Sequence, residues 1–353
     1  MLLLVLTSDR YLYAENSREP LKLSREMLVR ILSYHQVMPS YIDFICVFGT
    51  QDEPRDLRFS SFREQTLISK PARGPAVPCL GRSGRQFQLC YNLKASNCTS
   101  PAGTKLQSKQ WSIRQAAIHH QFDVETGTSL WIVTKGDKEI KDRIEELNGP
   151  DGRADEKNFS TSEECFKRTL DVHMVCCHWS TEEWRSYIQW LEEFIDREVS
   201  VSRLRINVAG ANLQRTAAVF APRGQNLPHY KFEPRHVQEV HSLEEKINIA
   251  IMILEANVTV LRQLKDFYEH LIEDENFPWK TSCKYHVIAF SDQLNVMVYD
   301  LEVDISRAKL LHRIVGDRKA LVNRSTKGPA KQYADDNRFF NIFKPKVQRK
   351  WKN

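Results

Sequence analysis

The strongest constraint on the fold is a long segment, residues 234–273, in which no proline or glycine follows the opening Pro234. Its apolar side chains recur at intervals of three and four, which places them on one face of an α-helix. They are Ile247, Ile251, Leu254, Val258, Leu261, Tyr268 and Leu271. Because no helix-breaking residue interrupts the pattern, it predicts one long helix.

A second helical pattern follows a short polar connection. Its apolar positions repeat with heptad spacing, which is typical of helices that pack along their length. They are Val287, Phe290, Leu294, Met297, Leu301, Asp304, Ala308, Leu311 and Val315, with Asp304 standing where an apolar residue is favoured. Two long helices with a short connection predict an antiparallel hairpin or a bundle, and this seam is also a natural oligomerisation surface.

Strand patterns dominate the N-terminal part. The opening MLLLVL has no positive residue before it and is too short for an export signal, so we interpret it as a first strand. Apolar and polar residues alternate from Phe87 to Leu93, which predicts a half-buried strand. Residues 50–83, rich in Pro, Arg, Ser and Gly, predict mostly irregular connections.

A histidine pair lies in the segment 111–136, which has the pattern of a β-hairpin with its turn at 125–128. His120 shares its parity with Ile118 and Phe122, whereas His119 has the opposite parity. Adjacent residues of a strand point to opposite faces, so the two histidines cannot bind one metal ion from a regular strand. We expect a structural role for both.

Three helices are predicted from their N-terminal caps. Ser24 begins a helix over 24–35 whose buried side carries Met27, Leu28, Ile31 and Leu32. Two capping boxes, Ser160 with Glu163 and Ser180 with Glu183, predict a helix through Leu170 and a second one after 183. The second helix carries one apolar stripe, formed by Trp184, Tyr187, Ile188, Leu191, Phe194 and Ile195.

Two further motifs leave alternatives open. His173, Cys176, Cys177 and His178 offer zinc-ligand types, but no second cluster completes a zinc-finger spacing, so buried structural residues are favoured. The glycines in the stretch 81–85 are typical of a phosphate-binding loop, yet the stretch lacks the Lys-Ser/Thr of a P-loop and leads into a strand.

Charge is concentrated at the C-terminus. The formal net charge is +6, and residues 316–353 hold eleven Lys or Arg against three Asp, so the rest of the chain is close to neutral. This argues against nucleic acid as a partner, because phosphate binding needs a positive face on the folded part. Eight scattered cysteines with no CxxC pair favour a reduced, cytoplasmic setting, and no membrane-spanning segment is expected.

The basic tail, residues 323–353, is expected to be disordered. Two interpretations of it stay open: a solvated basic end, or weak peripheral attachment to an anionic membrane surface through aromatic residues set among the lysines. Those residues are Phe339, Phe340, Phe343 and Trp351.

Several segments together resemble the cytosolic part of fungal CorA-like transporter-domain proteins. The resemblance runs in order over about residues 20 to 322. Its segments are LSYHQVMPSYIDFICVFG (32–49), LGRSGRQFQLCYNL (80–93), the hairpin 111–136, CCHWSTEEWRSYIQWLEEFIDREV (176–199), FEPRHVQEVHSLEEKINIAIMILEANVTVL (232–261) and VYDLEVDISRAKLLHRIVGDRKAL (298–321).

The resemblance implies an α+β or α/β N-terminal domain with a mixed sheet over 1–233, then a long antiparallel helical hairpin over 234–322. The founding channels add two membrane helices and a Gly-Met-Asn loop. After about Leu321 this chain has no apolar span and no Gly-Met-Asn, which predicts that it forms no pore alone. It is then a soluble paralogue, a splice or gene-model product with an altered end, or a subunit that joins longer CorA-like relatives.

Three function classes follow. The favoured one is a non-enzymatic, assembling module related to magnesium and other divalent-cation transporters, forming homo-oligomers or hetero-oligomers with longer relatives. The second is an interaction or scaffold protein that keeps the fold without ion coupling. An enzyme is disfavoured, because no catalytic motif has its expected structural context.

A magnesium response is predicted at Asp300 and Asp304, because carboxylates one helical turn apart at a subunit boundary suit this ion. The alternative is an intrahelical ion pair between Asp304 and Arg307.

Overall fold

The structure is a computed structural model of the 353-residue chain. It describes residues 2–4, 23–48, 58–101, 103–105, 110–135, 138–148, 160–195 and 234–326. The chain divides into two compact units, residues 1–190 with 250–307 and residues 191–249 with 308–353. From residue 327 onward the expected disordered tail lies outside the described residues. The domain boundaries expected at 233 and 322 stay predictions.

A five-stranded mixed sheet organises the first unit. Its strands are β1 (Leu2–Leu4), β2 (Phe62–Leu67), β3 (Gln86–Cys98), β4 (Trp111–Asp123) and β5 (Ser129–Lys135). They lie in the order β1-β5-β4-β3-β2, with β1 parallel to β5 and the other neighbours antiparallel. The expected mixed sheet and the hairpin formed by β4 and β5 are therefore confirmed.

Strand β2 lies inside the segment that was expected to be irregular, so that expectation is wrong for residues 62–67. The strand pairs with β3 from Phe62 opposite Tyr91 to Leu67 opposite Gln86. Four of its six side chains are exposed, and an edge strand of this kind needs no apolar alternation. The pairing with β3 therefore determines that residues 62–67 form a strand, and the local sequence pattern does not predict it.

Strand β3 is buried on both faces, so the expectation of a half-buried strand is wrong. Gln88 is 4% exposed and Asn92 is fully buried, like the apolar residues between them. Helices α1 (Arg25–Tyr34) and α2 (Tyr41–Cys46) supply the cover on this polar side. Their residues form a core cluster with Cys90, which contains Met38, Tyr41, Phe44, Ile45, Ala117, Leu130 and Ile132.

Helix α1 begins as predicted, because the Ser24 Oγ accepts a hydrogen bond from the Met27 backbone N–H at 3.2 Å. Leu28, Ile31 and Leu32 pack against the core cluster as expected. Met27 does not, since 56% of it is exposed. The helix therefore buries a narrower side than its apolar sequence indicates.

A single long helix, α4 (Ser162–Thr181), contains the stretch 173–178 in its interior. The capping boxes are wrong in detail: Thr161 caps α4 by accepting from the Glu164 N–H at 3.2 Å, and the buried Ser180 Oγ donates to the Cys177 carbonyl instead of capping. The chain turns at Glu183, whose φ is 62°. Helix α3 (Lys138–Asn148) precedes α4.

Residues 184–195 form helix α5. Of its predicted apolar stripe, Trp184, Tyr187, Ile188, Leu191 and Ile195 are at most 5% exposed. Phe194 is half-buried.

Two long helices, α6 (Pro234–Glu273) and α7 (Lys284–Thr326), confirm the helical patterns. Arg262 on α6 forms an ion pair with Glu302 on α7 at 2.5 Å, and the rings of Tyr268 and Phe290 meet edge to face with centroids 5.4 Å apart. A later residue of α6 thus contacts an earlier residue of α7, so the pair is an antiparallel hairpin. Each predicted seam position of α7 is at most 8% exposed.

Among the described residues, the part of α6 from Gln238 to Glu273 is long and apolar enough to cross a membrane, judged by length and composition. Half of its most apolar 18-residue window is buried inside the protein. The core helix of a folded domain meets the same criteria, so this single helix is weak evidence for a membrane span. The absence of a membrane span stays a prediction.

Candidate functional site

A chain of hydrogen bonds runs through the core between the sheet and α4. The Nδ1 of His120 lies 3.1 Å from the Nε2 of His173. At one end the Tyr91 hydroxyl lies 2.6 Å from the His173 Nδ1, and at the other the His120 Nε2 lies 3.2 Å from the Ser129 Oγ. All four residues are fully buried. Every ring nitrogen of the two histidines therefore has a partner.

This core keeps both histidines neutral. Burial lowers the pKa of His173 to about 3, and burial together with the neighbouring His173 lowers the pKa of His120 well below 6.5. The ring of His120 stacks on that of Trp131 with centroids 4.0 Å apart. A neutral imidazole fits such surroundings, whereas a charged one would be costly to bury.

His119 lies on the other face of β4, as predicted. Its Nε2 lies 3.1 Å from the Gln88 Oε1, which can only accept, so Nε2 carries the proton. Burial, with smaller contributions from Arg82 and His35, lowers the pKa of His119 to about 3. The adjacent histidines thus belong to separate hydrogen-bond networks on opposite faces of one strand, and they cannot share an ion.

The four residues of the zinc hypothesis do not form one cluster. His173, Cys176 and Cys177 are fully buried in α4, whereas His178 is exposed. Within the residues that the structure describes, no group of three or more His, Cys, Asp or Glu side chains is placed to hold a metal ion. Burial raises the pKa of Cys176 to about 12, which opposes the thiolate form that zinc requires.

The loop 81–85 binds a carboxylate of its own chain. Asp123 accepts hydrogen bonds from the Ser83 backbone N–H at 2.7 Å and from the Ser83 Oγ at 3.0 Å. On the other side it accepts from the N–H groups of Glu125 at 3.0 Å and Thr126 at 2.9 Å. The donors that suggested a phosphate cradle therefore fasten the loop to the hairpin turn.

The two predicted magnesium ligands differ in their surroundings. Asp304 is 8% exposed, and the Arg307 Nη1 donates to its Oδ1 at 2.9 Å. Burial raises the pKa of Asp304, and the positive charge of Arg307 offsets part of this effect. Asp300, one turn earlier on α7, is exposed. The intrahelical ion pair is thus present, and the magnesium site stays a prediction.

A second apolar stripe lies on α7, opposite its buried seam, and sequence reasoning missed it. Its members are Tyr285 (77% exposed), Ile288 (45%), Val296 (62%), Tyr299 (66%) and Val303 (43%). Successive members are three, four or eight residues apart in sequence and so share one helical face. The stripe could have been recognised from a second heptad repeat of apolar residues, offset from that of the buried seam. Asp292 interrupts this second repeat, so the repeat of the seam is the stronger pattern.

A groove of about 410 Å³ lies beside this stripe, between α4 and α7. Its walls include the apolar Leu170, Met174 and Phe290. The charges at its rim are already paired within α4: Lys167 with Glu164 at 2.9 Å and Arg168 with Asp171 at 3.0 Å.

Comparison with known families settles the class of protein. A family model described as CorA-like transporters matches residues 10–202, which is more than half of the chain. The chain belongs to the CorA-like transporter family. This family has a relationship to divalent-cation transport, its members form oligomers, and they are transporters, not enzymes. No curated protein matches the chain at a significant level.

The CorA-like match includes strands β2 to β5, with the hairpin of the histidine pair, and helices α1 to α5, whereas β1 lies before the matched range. It thereby confirms the CorA-like family for the N-terminal segments, whereas the fungal origin stays a prediction. The segments 232–261 and 298–321, on α6 and α7, lie beyond the matched range. For these two, membership in the CorA-like pattern rests on the quoted resemblance alone.

Proposed function

We propose that this CorA-like chain is a non-enzymatic assembly module of a divalent-cation transport system, without a pore of its own. The observation that carries this proposal is the exposed stripe on α7 from Tyr285 to Val303. A water-exposed row of large apolar residues marks an interaction surface in a folded protein. Because members of the family form oligomers, a second CorA-like chain is the natural partner for this surface.

The stripe has the chemistry of a helix-pairing face. Val296, Tyr299 and Val303 follow one another at three and four residues, the spacing that allows side chains of two helices to interlock. Tyr299 offers a large apolar ring with a polar tip, which suits an interface that closes and opens. The buried seam 287–315 packs within the hairpin, so the opposite face of α7 is the one open to a partner.

Magnesium regulates this assembly in our proposal, through Asp300 and Asp304. A divalent ion bound at the exposed Asp300 would compete with Arg307 for the buried carboxylate of Asp304, because one carboxylate cannot fully neutralise both cations. The desolvation that raises the pKa of Asp304 supports the proposal, since an incompletely compensated buried charge gains from a second cation. Assembly would then depend on ion concentration.

Sedimentation velocity at several protein concentrations tests the assembly. We expect the unmodified chain to self-associate, and Val303→Lys, alone or with Val296→Lys, to shift it to the monomer. Gln293→Lys is the matched control, because Gln293 is exposed on the same helix outside the stripe. A monomeric unmodified chain, or association unaffected by both stripe variants, contradicts the proposal.

The same experiment with and without magnesium tests regulation. We expect magnesium to change the association of the unmodified chain and to have no effect on Asp304→Asn. Association that needs the stripe but ignores magnesium would instead favour a scaffold protein that keeps the CorA-like fold without ion coupling.

A further inference from the structure

Helices α1 and α2 lie over one face of the sheet, and we call residues 24–48 the cover. Helix α1 has no buried residue of its own. The opposite face is packed by the longer helices α4 and α6, through ring contacts such as Tyr91 with His173 and Phe87 with Phe267. The cover is anchored by four buried apolar side chains, which are Met38, Tyr41, Phe44 and Ile45. A segment with few buried apolar contacts is the one expected to open first.

The face of the sheet beneath the cover is polar. The Gln88 Oε1 accepts a hydrogen bond from the Met38 backbone N–H at 2.8 Å, and the Cys90 Sγ lies 3.8 Å from the Ser40 Oγ. The alternate residues of β3 point to the longer helices, and they are apolar or aromatic: Phe87, Leu89, Tyr91 and Leu93. Detaching the cover therefore exposes a polar face of the sheet to water, whereas detaching α4 or α6 would expose an apolar one.

Three hydrogen-bonding atoms at this contact lack partners. The Oε1 of Gln36, the Oε1 of Gln121 and the Nδ1 of His119 are buried and receive no hydrogen bond from the residues that the structure describes. Gln36 also joins the two helices of the cover in a left-handed backbone conformation, with a φ of 51°, which is unfavourable for a residue other than glycine. Opening of the cover gives these atoms water and releases the strain, so both effects offset part of the lost packing.

We propose that the cover detaches from the sheet as a separate unit, while the sheet, α4 and α6 stay folded. Its opening makes the polar face of the sheet and the thiol of Cys90 accessible to solvent. Cys90 is fully buried beneath the cover. Cys176 and Cys177 are fully buried in α4, which packs on the opposite face. The three thiols therefore distinguish opening of the cover from unfolding of the whole unit.

Pulse labelling with N-ethylmaleimide, followed by mass spectrometry of peptides, measures the reaction rate of each thiol in the unmodified chain. Rates in the urea-unfolded protein correct for differences in intrinsic reactivity. Because a buried thiol reacts only after its surroundings open, we expect Cys90 to react about tenfold faster, or more, than Cys176 and Cys177. Equal corrected rates, or a slower reaction of Cys90, mean that the cover does not open separately and overturn the proposal.

A variant within the cover tests its attachment. Tyr41→Phe keeps the buried ring but removes the hydroxyl, whose oxygen lies 2.9 Å from the Thr134 Oγ1 and 3.2 Å from the carbonyl oxygens of Ala117 and Ile132. Labelling of Cys90 should therefore become about tenfold faster. The thiols of α4 should accelerate with it, because complete unfolding includes opening of the cover.

Ile253→Val is the matched control outside the cover. Ile253 is fully buried on α6, which packs on the opposite face of the sheet. The loss of one methyl group should speed the labelling of Cys176 and Cys177 about fivefold and leave Cys90 unchanged. An unchanged rate of Cys90 in Tyr41→Phe, or an accelerated one in Ile253→Val, overturns the proposal. If a variant does not fold, the three rates in the unmodified chain still decide.

Discussion

Acidification from pH 7.5 to pH 5 should strongly destabilise the first unit through its three fully buried histidines. His119 and His173 each have a folded-state pKa of about 3 against an ordinary value of 6.5, and that of His120 is also well below 6.5. Burial of the imidazoles is the main cause in each case. Because the folded pKa is depressed, the stabilisation is complete above pH 6.5 and is lost as the pH falls from there toward 3.

The magnitude follows from proton uptake on unfolding. At pH 5 an unfolded histidine is almost fully protonated, whereas a folded one of pKa about 3 is not, which costs about 2 kcal/mol of unfolding free energy for each residue. His119 and His173 together lose about 4 kcal/mol, a large part of the 5–15 kcal/mol typical of a domain, and His120 adds a loss of the same sign. The buried rings facing His173 belong to Tyr91, His120, Trp131 and Tyr268, and none of them supplies a compensating negative charge at this pH.

Urea unfolding, followed by circular dichroism at pH values between 7.5 and 5, measures this dependence. We expect the slope of unfolding free energy below pH 6.5 to approach three protons, and His119→Gln to reduce it by about one. His286→Gln is the control, because that side chain is already exposed in the folded protein. A slope below one proton in the unmodified protein would refute the reasoning that all three imidazoles are buried neutral.

Three further predictions concern single contacts. Asp123→Ala removes the acceptor for the Ser83 and Thr126 N–H groups, so the unfolding free energy in urea should fall by about 2–4 kcal/mol, and an unchanged midpoint would contradict this role. Asn257→Leu should cost a similar amount, since its side chain pairs with both the N–H and the C=O of Lys94; hydrogen exchange at the Lys94 amide should accelerate. Asp304→Asn should keep or raise the melting temperature at pH 7 in magnesium-free buffer, because burial disfavours the charged carboxylate; a clear fall would mean that the Arg307 pair outweighs desolvation.

Local sequence was sufficient to predict secondary structure where a pattern of apolar residues repeats over many positions. The long helices α6 and α7 and the hairpin of β4 and β5 are confirmed, because each depends on side-chain periods that neighbours in sequence enforce. The opposite placement of His119 and His120 followed from the same geometry, since a strand alternates its faces. The N-cap at Ser24 was also correct, because it is a contact between residues three apart.

Tertiary structure alone decided which polar residues are buried and what they meet. The partner of His120 is His173, 53 positions away in sequence, and the donors of the 81–85 loop found Asp123, 40 positions from Ser83. The cover provided by α1, α2 and the chain around Phe59 makes the polar side of β3 interior. No local pattern encodes these encounters, because a buried hydrogen bond depends on which elements pack together, whereas periodicity depends only on the geometry of one element.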